Sequence, residues 1–449
     1  MASHADQIRL RLAEGPAGAR QLLENIGISQ PTLSRAMTTM GSEVVRLGAA
    51  RSIQYALRDA GRGLDDIAIY RVGADGTIRH LGMLIPVRPH GFVMQQADGV
   101  TLHSDSLPWW LMDMRPQGFL GRAYASRFAD VLGLPAKVAE WNDAQVLRAL
   151  TAHGQDAVGN LLLGDRARER FLDAPLPAPI LEGARGDAYV RLGKEAASGH
   201  LPNSSAGGEQ PKFTAFVETP NGPRHVLVKF TLHDDQPNPV IERWRDLLLA
   251  EHHALETLAA SGVPAARSRI IDCAGQRFLE VERFDRKGVM GRCGLFSLAS
   301  LDAEFAGDAR APWPVITAQL ANNGVITPES ASGAALLYAF GTLIGNTDMH
   351  NGNLSFTSEH GRPYTLAPAY DMLPMGFAPT SGGGLPDRLP PANLHASVAN
   401  AVWAQALAMA IAYLARVRAD VRFSEGFRTC VDHLAEHLGD ASEKVSRLG

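Results

Sequence analysis

The chain has 449 residues, too many for one compact core, so two to four folding units are expected. Apolar residues make up 45% of it and charged residues 20%, which excludes the disordered, fibrous and membrane-spanning classes. The net charge is -4, yet residues 1–58 hold seven arginines against four acidic residues, which favours a polyanionic partner at this end. With no leader-like start and three widely spaced cysteines, we expect a cytoplasmic protein with reduced thiols.

The first 40 residues have the pattern of a helix, a tight turn and a second helix. Gly27 supplies the turn, and Pro31 stands in the first turn of the second helix. Apolar residues spaced three and four apart predict one buried stripe on this helix, made of Leu33, Ala36, Met37 and Met40. Its other face presents side chains that suit base edges and phosphates, namely Gln30, Thr32 and Arg35.

Residues 44–57 then predict a two-stranded wing, with Arg51 at its tip available to a backbone phosphate. We therefore predict a winged helix-turn-helix domain over residues 1–60 that binds double-stranded DNA. The alternative is a small helical packing module without nucleic acid.

Short strand patterns follow the Gly-Arg-Gly stretch at residues 61–63. The apolar runs 67–72, 78–87 and 91–94 are separated by Asp-Gly turn signals, which predicts a small β-rich subdomain over residues 64–135.

A lysine stands inside an apolar strand pattern at residues 226–230. An ammonium there is costly unless an anion neutralises it, and the phosphates of ATP would do so, which makes Lys229 a candidate nucleotide ligand. On the helix predicted at residues 248–259, Glu251 is the favoured partner of Lys229, with Glu242 as the alternative. Upstream, Gly207 and Gly208 form a polar turn whose N–H groups could approach phosphate, a weak signal by itself.

The sharpest motif is the polar loop at residues 345–353, which follows an apolar helical stretch. Asp348 and Asn353 have the spacing of a kinase catalytic loop, in which the Asp accepts the proton of the attacking hydroxyl and the Asn binds Mg²⁺. Eighteen residues after Asn353, Asp371 supplies the second oxygen ligand that Mg²⁺ needs. Met372 and Leu373 stand where ordinary protein kinases have Phe and Gly.

With these motifs in one chain order, the sequence resembles the HipA-type serine/threonine kinases of bacterial toxin and antitoxin systems. The resemblance rests on residues 205–212, 228–230, 281–286, 345–350 and 369–371. It implies that Glu282 and Phe284 lie at the adenine hinge and that His350 supports the active site. It also implies that Ser205 is a loop serine whose autophosphorylation switches the kinase off. A fused DNA-binding domain is the layout of stand-alone toxins in this family.

We therefore predict an α+β multidomain protein with a winged helix-turn-helix, a small β-rich subdomain and a two-lobed, protein-kinase-like fold. The kinase N-lobe region is assigned to residues 136–285 and the helical C-lobe to residues 286–449. ATP and Mg²⁺ are the predicted cofactors, and the predicted partners are a protein phosphorylated on Ser or Thr, double-stranded DNA and an antitoxin.

Three alternatives remain at this point. One is a catalytically weak DNA-binding regulator that senses nucleotide. Another is a small-molecule kinase, and the third is a metal-dependent hydrolase built on Asp348, His350 and Asp371.

Overall fold

The computed structural model describes residues 3–48, 53–198, 210–233, 236–359 and 361–447. The amino-terminal block, residues 3–58, contains α1 (His4–Ala13), β1 (Ala17–Gly18), α2 (Ala19–Ile26), α3 (Gln30–Met40), β2 (Val44–Leu47) and β3 (Gln54–Leu57). Its strands form an antiparallel sheet in the order β1-β3-β2. The two helices and the hairpin therefore lie where the sequence predicts them.

The turn between α2 and α3 depends on a glycine. Gly27 has a φ of 70°, in the left-handed region that residues with a Cβ rarely adopt, and its N–H bonds the carbonyl of Leu23. Most of the predicted stripe on α3 is buried and packs with residues of α1 and α2. The buried residues of this core are Ile8, Leu12, Ala17, Leu22, Leu33, Ala36 and Met40, and Met37 is partly buried.

The opposite face of α3 is open to solvent. Gln30 and Arg35 are exposed and Thr32 is half-buried. The hydroxyl of Thr32 lies 2.9 Å from that of Ser29, and Nε of Arg35 makes only a long bond of 3.4 Å to the carbonyl of Pro31. Arg51 lies outside the described residues.

Residues 64–173 form a second body, the middle block. Its elements are β4 (Ile67–Val72), β5 (Ile78–Pro86), β6 (Phe92–Gln96), β7 (Thr101–Ser104), α4 (Gly118–Phe128), α5 (Asp143–His153), β8 (Leu161–Leu163) and α6 (Gly164–Asp173). The strands make an antiparallel sheet in the order β7-β6-β5-β4-β8.

The predicted subdomain boundary at residue 135 is corrected by this sheet. Strand β8 pairs with β4, with Ile69 opposite Leu163, and α5 buries Val146 and Leu150 in the same core as Ile69. Residues 136–173 therefore belong to the middle block and not to a kinase N-lobe. A strand that returns to a sheet edge from so far along the chain leaves no local pattern in the sequence.

The amino-terminal block and the middle block share a core. One face of the β2 and β3 hairpin packs on the middle sheet through Val45, Leu47, Ala56, Ile85, Val87 and Val93, all buried. Backbone bonds reinforce the contact: the N–H of Arg88 donates to Leu57 at 2.8 Å, and the N–H of Asp59 donates to Pro86 at 3.0 Å. The hairpin is thus fixed against the rest of the protein on one face.

A four-stranded sheet follows the middle block. Its strands and flanking helices are α7 (Arg185–Ala197), β9 (Lys212–Val217), β10 (Arg224–Phe230), α8 (Pro239–Ala260), β11 (Ser268–Cys273) and β12 (Gln276–Glu282). The strands are antiparallel, in the order β11-β12-β10-β9. Helix α8 begins well before the predicted residue 248, because Asn238 caps the N–H groups of Val240 and Ile241 and Pro239 fits the first turn.

The remaining residues are mainly helical. Their elements are β13 (Arg286–Lys287), β14 (Gly291–Arg292), β15 (Gly294–Ser297), α9 (Leu298–Phe305), α10 (Trp313–Asn322), α11 (Pro328–Leu343), β16 (Ser355–Ser358), β17 (Thr365–Leu366), α12 (Asn400–Ala419) and α13 (Glu425–Ser446). Helices α10 to α13 share a large apolar core with α8. In the described part of the chain, no helix combines the length and apolar character needed to span a bilayer.

Candidate active site

Lys229 lies on the central strand β10, where alternate residues Val226, Val228 and Phe230 are also buried. Its side chain is 5% exposed, so its charge must be balanced inside the protein. Nζ donates to both carboxylate oxygens of Glu251, each at 2.7 Å, and also bonds Asp371. The single lysine of this strand therefore joins the sheet to helix α8 and to the chain segment at Asp371.

Between the two carboxylates considered from sequence, the structure selects Glu251. Glu242 is exposed in the first turn of α8, whereas Glu251 lies deeper along the helix and is fully buried. Burial alone would lower the pKa of Lys229, but Asp371 and Glu251 outweigh it and raise that pKa above its ordinary value. Burial would likewise raise the pKa of Asp371, and Lys229 with Lys212 holds it below its usual range. Lys229 and Asp371 are therefore both charged at neutral pH.

The polar loop after α11 is held by its own amides. Gly345, with a φ of 77°, ends the helix, and the buried side chain of Asn346 accepts the N–H of Asp348 at 3.1 Å. Asn353 donates to the carbonyl of Asp348 at 2.8 Å, which fixes the two predicted catalytic residues relative to each other. His350 accepts the N–H of Gly352 at 3.0 Å and so shapes the same turn.

Asp371 has an unusual backbone conformation. Its φ is 55°, in the left-handed region, which carries a penalty of about 1–2 kcal/mol for a residue with a Cβ. The neighbouring Tyr370 bonds the carbonyl of Gly352 at 2.8 Å and the hydroxyl of Ser355 at 2.6 Å. These bonds tie the segment at Asp371 to the polar loop, and such strain is typical of functional positions.

These residues surround one cleft of about 440 Å³ between the four-stranded sheet and the helical part. Six of the predicted site residues line it: Lys229, Glu282, Phe284, His350, Asn353 and Asp371. Asp348 is exposed and lines a separate opening of about 960 Å³, which also reaches His350. Gly207, Gly208 and Ser205 lie outside the described residues. Gln30, Thr32 and Arg35 lie on α3 of the amino-terminal block and do not line this cleft.

Some residues that line the cleft are not among those predicted from the sequence. Lys212 is buried on β9 directly opposite Lys229, and it could have been found by the same signal, a cation in an apolar strand. Asp113, Gln117 and Val158 enter the cleft from the middle block. No motif surrounds them, so only the packing of the middle block against the helical part places them there.

The oxygen ligands in the cleft suit a hard metal ion such as Mg²⁺, but they do not form a complete metal-binding centre by themselves. Asp371 and Asn353 offer one carboxylate and one amide oxygen in the cleft, which suits Mg²⁺ that keeps other ligands from phosphate and water. Among the described residues, no group of three or more His, Cys, Asp or Glu side chains could hold a metal ion. Asp348, His350 and Asp371 are all described, so the hydrolase alternative lacks the cluster that it requires.

The ammonium of Lys229 on the antiparallel sheet is thus held by two carboxylates and shares its cleft with Asn353, which bonds Asp348 of the polar loop. Family models match the chain twice: the YjjJ-like toxin middle domain over residues 64–172, and the HipA-like C-terminal domain over residues 204–439. The chain is 38% identical to Toxin YjjJ of Escherichia coli (strain K12) over 440 residues, 98% of each sequence. It therefore belongs to the HipA family of toxins, and the resemblance seen in the sequence motifs is confirmed.

A solved structure shares this fold. HipA of Shewanella oneidensis MR-1, in a complex with HipB and operator DNA, matches with a TM-score of 0.54 and 15% identity. The match covers 85% of this chain and 99% of that chain. The fold is thus mixed α/β and HipA-like.

Proposed function

We propose that this toxin-family protein is an ATP- and Mg²⁺-dependent serine/threonine protein kinase that acts in the cytoplasm on a protein substrate and on its own Ser205. The observation that carries the proposal is the buried Lys229, paired with Glu251 and Asp371 in a cleft that also contains Asn353. Phosphoryl transfer needs such an arrangement because its catalysis is mainly positioning and neutralisation of phosphate charge.

Each side chain of the site has a role in this proposal. Lys229 binds phosphate oxygens, and Glu251 keeps its ammonium oriented. Asn353 and Asp371 hold Mg²⁺, which neutralises negative charge on the phosphates. The Gly207 and Gly208 turn covers the phosphates, while Glu282 and Phe284 border the adenine. His350 supports the loop through its bond to Gly352.

Asp348 is the proposed general base, and its position favours access for a large acceptor. The opening that it lines adjoins the nucleotide cleft at His350 and Gly352, and it is also bordered by the exposed Arg310. A protein segment could therefore bring its hydroxyl to Asp348 while ATP occupies the other side. The exposed position of Asp348 in an opening of about 960 Å³ favours a protein acceptor over a small molecule.

We extend the proposal to the amino-terminal block as a winged helix-turn-helix that binds double-stranded DNA through Gln30, Thr32, Arg35 and Arg51. The exposed polar face of α3 supports it. The related HipA was crystallised with HipB and operator DNA, which also supports an antitoxin partner for this chain.

The kinase proposal is tested by incubating the purified chain with Mg²⁺ and ATP and measuring its intact mass and phosphopeptides. We expect one phosphate on Ser205, absent from Ser205→Ala. Asp348→Asn should lower the rate of phosphate transfer by about 10²–10⁴-fold, the usual contribution of a general base. Asp187→Asn, an exposed position on α7, is the matched control and should transfer at the wild-type rate.

Wild-type protein that binds ATP but shows no phosphate transfer, to itself or to any added protein, would contradict the kinase proposal. It would favour the alternative of a DNA-binding regulator that senses nucleotide. Phosphate release without a phosphorylated protein product would favour hydrolysis instead.

A further inference from the structure

We infer that the middle block is part of the nucleotide site, and that Asp156 is a positioning residue that fixes the hinge segment at residues 282–285 from outside the kinase core. This inference rests on the proposed function, because it assumes that the cleft binds ATP. It adds that the middle block helps to position the nucleotide.

The middle block forms one wall of the cleft. The space that Lys229 and Asp371 enter is also lined by Asp113, in the helical turn Trp109–Met114, by Gln117 and Gly118 at the start of α4, and by Val158 in the loop before β8. A nucleotide in this cleft would therefore touch residues of two bodies. The affinity for it then depends on how firmly the middle block is held in place.

A partly buried ion network, in which the side chain of Asp156 is 31% exposed, holds the loop at residues 154–159 against the hinge. Asp156 accepts Nη2 of Arg286 at 2.8 Å and Nη1 of Arg283 at 3.2 Å. In return, Arg286 donates to the carbonyl of Gly159 at 3.0 Å, and Asp285 accepts the N–H of Gly159 at 3.1 Å. Because Arg283 and Asp285 flank Phe284, these bonds fix the backbone that borders the cleft.

The charges of the network make Asp156 the decisive member. The network contains Arg283, Arg286 and the buried Arg292, against two carboxylates, Asp156 and Asp285. Burial would raise the pKa of Asp156, but the three guanidinium groups outweigh it and lower that pKa. Loss of its charge would leave three arginines with one carboxylate, Asp285, which already bonds both Arg283 and Arg286, so the repulsion among the guanidinium groups would be less compensated.

A second contact holds the other end of the same wall. Asp113 accepts the N–H of Ser297 at 2.7 Å and its hydroxyl at 2.6 Å, and Ser297 caps the first turn of α9. The wall is therefore attached to the hinge at one end and to the helical part at the other. Because it is attached at both ends, this part of the middle block can serve as a fixed wall of the binding site.

The test compares Asp156→Asn with wild type in two measurements. Calorimetry gives the Kd of the β,γ-imido analogue of ATP in the presence of Mg²⁺, and the self-phosphorylation assay gives kcat and the KM for ATP. We expect Kd and KM to rise roughly tenfold, with KM changing more than kcat, since a displaced hinge misplaces the nucleotide. Asp130→Asn, an exposed position in the same block, is the matched control and should bind like wild type.

If thermal unfolding shows that Asp156→Asn is not folded, Asp156→Glu replaces it in the test. This variant keeps the charge and displaces it by one methylene, and a rise in Kd is expected there as well. Wild-type Kd in a folded Asp156 variant would refute the positioning role and leave the proposed function intact. A wild-type chain that binds no nucleotide would refute the proposed function itself, together with the inference that rests on it.

Discussion

Lys229 shows how one residue can determine both stability and chemistry. A strand interior favours an apolar residue at this position, and a cation is stable there only because Glu251 and Asp371 bond it. The same ammonium is the group that the proposed reaction uses to bind phosphate. Stability and activity should therefore respond differently to substitutions of this lysine and its partner.

We predict that Lys229→Met abolishes phosphate transfer and lowers the free energy of unfolding by about 3–5 kcal/mol, because Glu251 is left buried without its counter-ion. Adding Glu251→Gln should restore much of the stability and none of the activity. Urea unfolding and the phosphate-transfer assay measure the two effects. If Lys229→Met were as stable as wild type, Glu251 would not be destabilised by the loss of its counter-ion.

At the scale of elements, helix α3 has one face in a core and one in solvent. Leu33, Ala36 and Met40 hold it in place, while Gln30 and Arg35 remain exposed. Arg35 is placed to meet a partner because it is exposed and its bond to the carbonyl of Pro31 is long, at 3.4 Å. Its removal should therefore test the surface without disturbing the core.

We predict that Arg35→Ala weakens binding to duplex DNA and reduces the slope of log K against log salt by about one, as expected for one lost phosphate contact. Arg20→Ala on α2, where the arginine is already paired with Glu24, is the matched control and should bind like wild type. Fluorescence anisotropy across a salt series measures both. An unchanged slope in Arg35→Ala would remove α3 from the DNA interface.

At the scale of the whole molecule, the shared core between the hairpin and the middle sheet joins the amino-terminal block to the rest of the chain. Val87 is fully buried in this core, and so is Ala56 on the facing strand. The blocks should therefore unfold together as long as this contact is intact.

We predict that Val87→Asp lowers the stability of this contact by more than about 3 kcal/mol, because it places an unpaired carboxylate in an apolar core. Differential scanning calorimetry should then show an earlier, separate transition for the amino-terminal block. Val100→Asp, at a half-exposed position of the middle block, which also contains Val87, is the matched control and should keep the wild-type profile. One unchanged transition in Val87→Asp would argue against mechanical coupling of the two blocks.

How much the sequence predicts depends on whether the signal is local. The stripe on α3, the strand at Lys229 and the polar loop at Asp348 follow from neighbouring residues, and the structure has α3, β10 and a loop bonded by Asn346 at these places. The choice of Glu251 over Glu242 depends on which of these two positions of α8 is buried against the sheet, and only tertiary packing decides that. The return of β8 to the middle sheet depends on long-range pairing, which single-sequence patterns do not contain.

At Asp371 the backbone conformation and the electrostatics of the site favour different residue types. Glycine and asparagine adopt this conformation most easily, so folding alone would favour either of them over aspartate. Asparagine has nearly the same shape but carries no charge, and it could not form the ion pair with Lys229. Aspartate at this position therefore serves electrostatics, and the fold accepts a conformational penalty to keep a negative charge beside Lys229.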